Sequence, residues 1–143
     1  MNRTSRLGLT LVEVLAVVVI LGLIAGTLTV SLTSQMGTAK RGLAKTGIGV
    51  IIDGIERYAL DAGSVPTMEQ GLQVLVDTKT RSGESYLKAD KLTDPWGNPY
   101  QYITPGPESV YQVISYGADG ALGGGPGTDD EDITSDNLAE VTD

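Results

Sequence analysis

The apolar pattern changes character along the chain. From Leu9 to Leu32 apolar and small residues run almost unbroken, with Glu13 the only charge. Such a run meets the roughly 20 residues needed to span a hydrocarbon core of about 30 Å. Hydrocarbon offers the backbone no partner, so the run predicts a helix. After Leu32 the apolar positions thin to Ile48, Ile52, Ile55 and Ala59, a stripe at helical period, with Asp53, Glu56 and Arg57 away from it. One long helix is therefore predicted, apolar all round in its first half and amphipathic in its second. It should stop near Ala62, because Gly63 suits the position after a helix end and Pro66 follows. Gly26, Gly37, Gly42, Gly47, Gly49 and Gly54 lie inside it. Each costs up to about 1 kcal/mol relative to Ala, so they either soften the helix or admit close packing against it.

Past the helix the periods shorten. Thr67-Met68-Glu69-Gln70 has the spacing of a capping box and predicts a short helix through Leu72, Leu75 and Val76. Thr78–Asp94 is polar and mixed in sign, a loop with a turn around Tyr86–Lys88. Asp94-Pro95-Trp96-Gly97-Asn98-Pro99 is dense in turn formers and reads as a turn with a buried aromatic. Tyr100–Ile103 and Val110–Ser115 alternate as strands about the Pro105-Gly106-Pro107 turn, giving an antiparallel hairpin laid on the first helix. The predicted class is α+β: one long helix, one short helix, a small antiparallel sheet and a C-terminal loop.

Charge narrows the chemistry. The net charge is −8, and no Lys or Arg follows Lys91. Such a surface disfavours nucleic acid. The chain has no His and no Cys, which removes the commonest general base and metal ligand as well as any disulfide. Arg3 and Arg6 precede the apolar run and favour a cytoplasmic N-terminus; Lys40, Arg41 and Lys45 after it weaken the asymmetry. An ordinary cleaved signal has a shorter apolar core followed by a small-residue site, which this run lacks. A carboxylate inside such a run is costly and calls for a partner.

The acid concentrates in a glycine-rich loop, Gly117 to Asp132. Asp119, Asp129, Asp130, Glu131 and Asp132 supply hard oxygen donors of the kind Ca2+ takes. The spacing is not that of an EF-hand, so on the residues alone the loop is either a cation site or a solvated acidic surface.

Gly8-Leu9-Thr10-Leu11-Val12-Glu13, ahead of the apolar run, resembles the class III leader of type IV pilin-like proteins. Tyr58-Ala59-Leu60-Asp61, Pro66-Thr67-Met68-Glu69-Gln70-Gly71-Leu72, Asp94-Pro95-Trp96-Gly97-Asn98-Pro99-Tyr100 and Ser115-Tyr116-Gly117-Ala118-Asp119-Gly120 resemble the type II secretion major pseudopilins. The resemblance runs from Gly8 to about Ile133 and implies a pilin-like fold. It implies cleavage by prepilin peptidase between Gly8 and Leu9, methylation of the new Leu9 amine, and a role for Glu13 in offsetting a neighbouring subunit's amine during assembly. The commonest first mature residue in the family is Phe, here Leu9. It implies one structural Ca2+ held by Asp119, by Asp132 with Asp130 or Glu131, and by the Tyr116 carbonyl. The family's Asn-Trp soon after Asp-Ile is replaced here by Thr134-Ser135-Asp136-Asn137.

Residues 1–8 are then a leader, 9–32 the transmembrane half of the helix, 33–133 a periplasmic domain and 134–143 a flexible tail. The expected function is the major subunit of a type II secretion pseudopilus, a periplasmic filament driving folded proteins through the outer membrane, and not an enzyme. Expected partners are further copies of the chain, minor pseudopilins, the inner-membrane assembly platform, prepilin peptidase, the outer-membrane secretin channel and the membrane, without nucleic acid. Two alternatives stand beside it: a type IV pilin or DNA-uptake pseudopilin, disfavoured by the missing disulfide and the acidic surface, and a membrane-anchored enzyme using Asp129–Asp132, disfavoured because a glycine-rich loop preorganises acids poorly.

Overall fold

The structure is a computed structural model that describes residues 10–138, with the side chains of residues 27–35 outside the description. Gly8 and Leu9, the expected processing site, lie outside the described residues. The chain divides into two compact units, one up to Met36 and one from Gly37 onward. The first helix, α1, spans Leu11–Ala62.

In the first unit, Thr10 caps α1. The Glu13 N–H donates to Thr10 Oγ1 at 3.2 Å, and the Val14 N–H reaches the Thr10 carbonyl at 3.2 Å. Thr10 and Glu13 thus stand at capping-box spacing, and the Glu13 carboxylate lies in the first turn, where it complements the helix dipole. Every large apolar side chain from Leu11 to Ile24 is at least half exposed. Among the described residues no helix is long and apolar enough to cross a membrane. Leu9 and the side chains of residues 27–32, which belong to the predicted span, are not among them.

The second unit is built on the rest of α1. Its buried stripe is Ala44, Ile48, Ile51, Ile55 and Tyr58. Ile48 and Ile55 lie on it as predicted, but Ile52 is only partly buried and Ile51 takes its place in the core. Adjacent positions differ by about 100° on a helix, and the tie between them is broken at Tyr58, whose ring meets Tyr86 edge-on at 5.5 Å. α1 ends at Ala62; Gly63 has φ +84 and its N–H returns to the Ala59 carbonyl at 2.8 Å. The helix glycines divide into two kinds. A Cβ at Gly37 or Gly47 would overlap the Asp129 carboxylate or the Tyr100 hydroxyl, and one at Gly54 would press on the Tyr86 carbonyl at 3.3 Å. Gly26, Gly42 and Gly49 face open space.

Both bonds of the predicted capping box form: Thr67 N–H to Gln70 Oε1 at 2.9 Å and Gln70 N–H to Thr67 Oγ1 at 3.3 Å. They close a turn rather than start the helix, because Gly71 adopts φ +57 and breaks the progression. α2 is confined to Val74–Asp77, with Leu72 and Leu75 buried. The polar loop that follows nevertheless sends Tyr86 and Leu87 into the core, held by the Leu87 N–H on the Leu75 carbonyl at 3.0 Å, and ends in a short 3-10 helix at Ala89–Leu92.

The sheet is antiparallel with order β1-β2-β3: β1 Gln101–Ile103, β2 Gln112–Ser115 and β3 Ile133–Thr134. Tyr102 faces Val113, and Ser115 faces Ile133. The hairpin matches expectation, with shorter strands. β3 does not: Thr134, assigned to the tail, pairs with Ile114, and the Ser135 N–H donates to the Val113 carbonyl at 2.8 Å. Asp136 accepts from Gln112 Nε2 at 2.6 Å and Ser109 Oγ at 3.1 Å. Two residues are too short a strand to show a period, so only their partners reveal them.

Four tyrosines give this unit an alkaline limit. Burial, with Asp94 nearby, pushes the Tyr100 phenol up to about 12; the bond to Asp61 raises Tyr86, and burial raises Tyr102 and Tyr111. Below pH 10, the ordinary phenol value, folded and unfolded chains both keep these protons and the contribution is intact. As pH rises from there toward about 12 the unfolded chain ionises first, so stability falls. The melting midpoint should therefore drop over that window, with much of the tyrosinate absorbance appearing only as the fold is lost. A midpoint independent of pH across the window would contradict it.

Candidate functional site

The acidic loop hangs between two anchors, and the first is a buried carboxylate. Asp94 is 5% exposed at the head of the predicted turn. Its Oδ1 accepts from the Trp96 N–H at 3.0 Å and the Asn98 N–H at 2.8 Å, and its Oδ2 accepts from Ser115 Oγ at 2.7 Å. The turn thereby closes on itself and is bonded to the end of β2. Asn98 extends the link: its Nδ2 donates to the Gly117 carbonyl at 2.8 Å, where the loop begins. The residue that organises this turn is thus the acid. Trp96, expected to be buried, is only partly so and packs on the edge of the core.

From Gly117 the loop folds tightly. The Ala118 N–H donates to the Asp129 carbonyl at 2.8 Å, and Gly117, at φ +68, leaves 2.5 Å between a hypothetical Cβ and that same oxygen. Gly124, at φ +91, lies so near the Asp130 carbonyl that a Cβ would overlap it. Glycine is required at both positions, by conformation and by space.

The second anchor is α1. Arg41 Nη1 lies 3.5 Å from Glu131 Oε2, with the two side chains only 12% and 18% exposed. The same Glu131 oxygen accepts the Gly127 N–H at 2.6 Å. Nearby, the Asp129 carboxylate lies against Gly37.

The expected site residues occupy distinct places. Asp119 is exposed, and its Oδ1 accepts the Ala121 N–H at 3.1 Å. Asp132 Oδ2 accepts the Gly123 N–H at 2.9 Å, while its Oδ1 is buried without a hydrogen-bond partner among the described residues. Asp130 is exposed, Glu131 is drawn to Arg41, and Tyr116 is half-buried just past β2. Among the described residues no three acids gather round one point. The donor chemistry nonetheless suits a hard cation: a buried carboxylate oxygen without a donor is expensive, and it lies in a loop rich in oxygen ligands. Glu13, in the first unit, is exposed at the start of α1. Arg41 escapes a reading by motif because Glu131 lies far away in sequence; Asp94 stood in the turn motif, but its bond to the distant Ser115 left no local signal beyond an acid set among turn formers.

Comparison with known proteins gives the chain its relatives. The family described as Type II secretion system (T2SS), protein G matches residues 31–136. Type II secretion system core protein G of Pseudomonas aeruginosa is 39% identical, with 99% of this chain and 96% of that protein covered. The core protein G of Vibrio cholerae is 39% identical, with 87% and 90% covered. The crystal structure of the major pseudopilin from the type 2 secretion system of enterohaemorrhagic Escherichia coli superposes with a TM-score of 0.57 at 30% identity, covering 73% of this chain and 92% of that one.

Proposed function

Since this chain belongs to the type II secretion core protein G family, the structural and non-enzymatic major pseudopilins, we propose that it is held in the inner membrane by a single span over Leu9–Leu32, with its N-terminus cytoplasmic and its C-terminal domain periplasmic. From there it is drawn into a filament of its own copies. The observation that carries this is the beginning of α1, whose large apolar side chains from Leu11 to Ile24 are all at least half exposed. Surface of that kind is stable only in lipid or against other helices. Prepilin peptidase cuts between Gly8 and Leu9, Leu9 is N-methylated, and Glu13 offsets the amine of a neighbouring copy. The assembly platform, minor pseudopilins and the secretin channel are its partners. The acidic surface gives no support to a DNA-uptake role.

The loop supports a structural Ca2+ in the same reading. Asp119 and Asp132 would hold it with the Tyr116 carbonyl, and Asp132 Oδ1 is the atom that most needs it. The ion would supply charge and coordination only; the chain's own bonds from Asp94 and Asn98 position the loop around it.

Subunits recovered from sheared filaments test the processing and the assembly together. N-terminal sequencing and intact mass should give a chain starting at methylated Leu9. Filaments built from chains that still begin at Met1 would overturn the reading.

A further inference from the structure

One short stretch of the acidic loop lies over a single turn of α1. Glu131 meets Arg41 at 3.5 Å, the Asp129 carboxylate lies against Gly37, and a Cβ at Gly127 would come within 3.6 Å of Arg41 Nη1. Arg41 is itself aimed by Thr38, whose Oγ1 accepts from Arg41 Nη2 at 3.3 Å. Glu131 is fixed from its own side by the Gly127 N–H. Both partners are therefore held in place before they meet, and their burial shields the pair from the screening that weakens exposed ion pairs. Asp132, one residue on, turns instead to Gly123 within the loop. Of the two adjacent acids, one serves the helix and the other the loop interior.

We propose that Arg41 and Glu131 form a latch that fastens the acidic loop to α1, so that ordering of the loop stiffens the helix between Gly37 and Ala44. Glu131 is then a positioning residue rather than a cation ligand. The coupling rests on the calcium reading above; the latch itself does not. That helical turn needs such a tie, because Gly37 and Gly42 both weaken it.

Hydrogen exchange followed by mass spectrometry on the full chain in detergent, in EDTA and with Ca2+, reads the helix and the loop separately. In the wild type, Ca2+ should slow exchange both in peptides from 117–132 and in peptides from 37–44. Glu131→Gln and Arg41→Gln should still take up Ca2+ and protect the loop, while the helix exchanges faster by about five-fold, the factor expected for one modest interaction. The double exchange Arg41→Glu with Glu131→Arg should restore helix protection. Loss of Ca2+ binding in Glu131→Gln would make Glu131 a ligand and overturn the proposal. So would helix exchange that is unchanged in both single variants. If the wild type responds to Ca2+ nowhere, the calcium reading and the coupling both fail, and the latch is judged by the EDTA comparison of wild type with Glu131→Gln alone.

Discussion

Replacing Asp94 with alanine is expected to destabilise the second unit by about 3–4 kcal/mol, the scale of removing a buried acceptor that serves several donors. Asp94 accepts from two backbone N–H groups and one hydroxyl at 2.7–3.0 Å, at a position 5% exposed. Alanine leaves the Trp96 and Asn98 N–H groups and the buried Ser115 Oγ without that acceptor. The turn would lose its closure, and with it the Asn98 hold on Gly117. Asp94→Asn is the informative companion, since its one carbonyl oxygen can serve only part of the donor set; it should fall between wild type and Asp94→Ala. Denaturant unfolding of the full chain in detergent, followed by Trp96 fluorescence, measures both. A cost below about 1 kcal/mol, that of one ordinary hydrogen bond, would show that the hub does not hold the turn.

Glu13→Ala is expected to abolish filaments. The helix start does not depend on this side chain, because the bond to Thr10 Oγ1 uses the residue 13 backbone N–H, which alanine keeps. What alanine removes is the one carboxylate among exposed apolar side chains. A single charge at membrane depth costs roughly 2.5–3.5 kcal/mol even on insertion scales, so one without a purpose would be a liability. The proposed purpose is to meet the amine of the next copy, and Glu13→Ala leaves that amine buried without a counter-charge. Glu13→Gln should fail likewise, since it keeps shape but not charge. Electron microscopy of sheared filaments, with membrane fractionation as control, should find the variant retained in the membrane and absent from filaments. Normal filaments would exclude the pairing role.

The parts of this fold legible in the sequence are those set by neighbours along the chain. Gly63 and Pro66 marked the end of α1, Thr67 and Gln70 marked a box that forms, and the alternation at Tyr100–Ile103 and Val110–Ser115 marked the hairpin. Where two local answers were nearly equal, distant contacts decided: Ile51 entered the core in place of Ile52 once Tyr58 met Tyr86. Elements made by distant partners left no local trace. β3 exists because β2 is beside it, and Glu131 is drawn out of the acidic run because Arg41 lies across from it. A run of four acids reads as one cluster in the sequence. In the fold, Asp129 and Glu131 address α1, whereas Asp132 addresses the loop.

The most direct measurement is the melting midpoint of the full chain in detergent, in EDTA and with added Ca2+, repeated on Asp132→Ala and Asp119→Ala. A ligand that binds only the folded chain stabilises it by about 2.7 kcal/mol at a hundred times its dissociation constant. The wild-type midpoint should rise with Ca2+ and the rise should vanish in both variants. Equal midpoints with and without Ca2+ in the wild type would contradict a cation-built loop and leave Gly117–Asp132 held by Asp94, Asn98 and Arg41 alone.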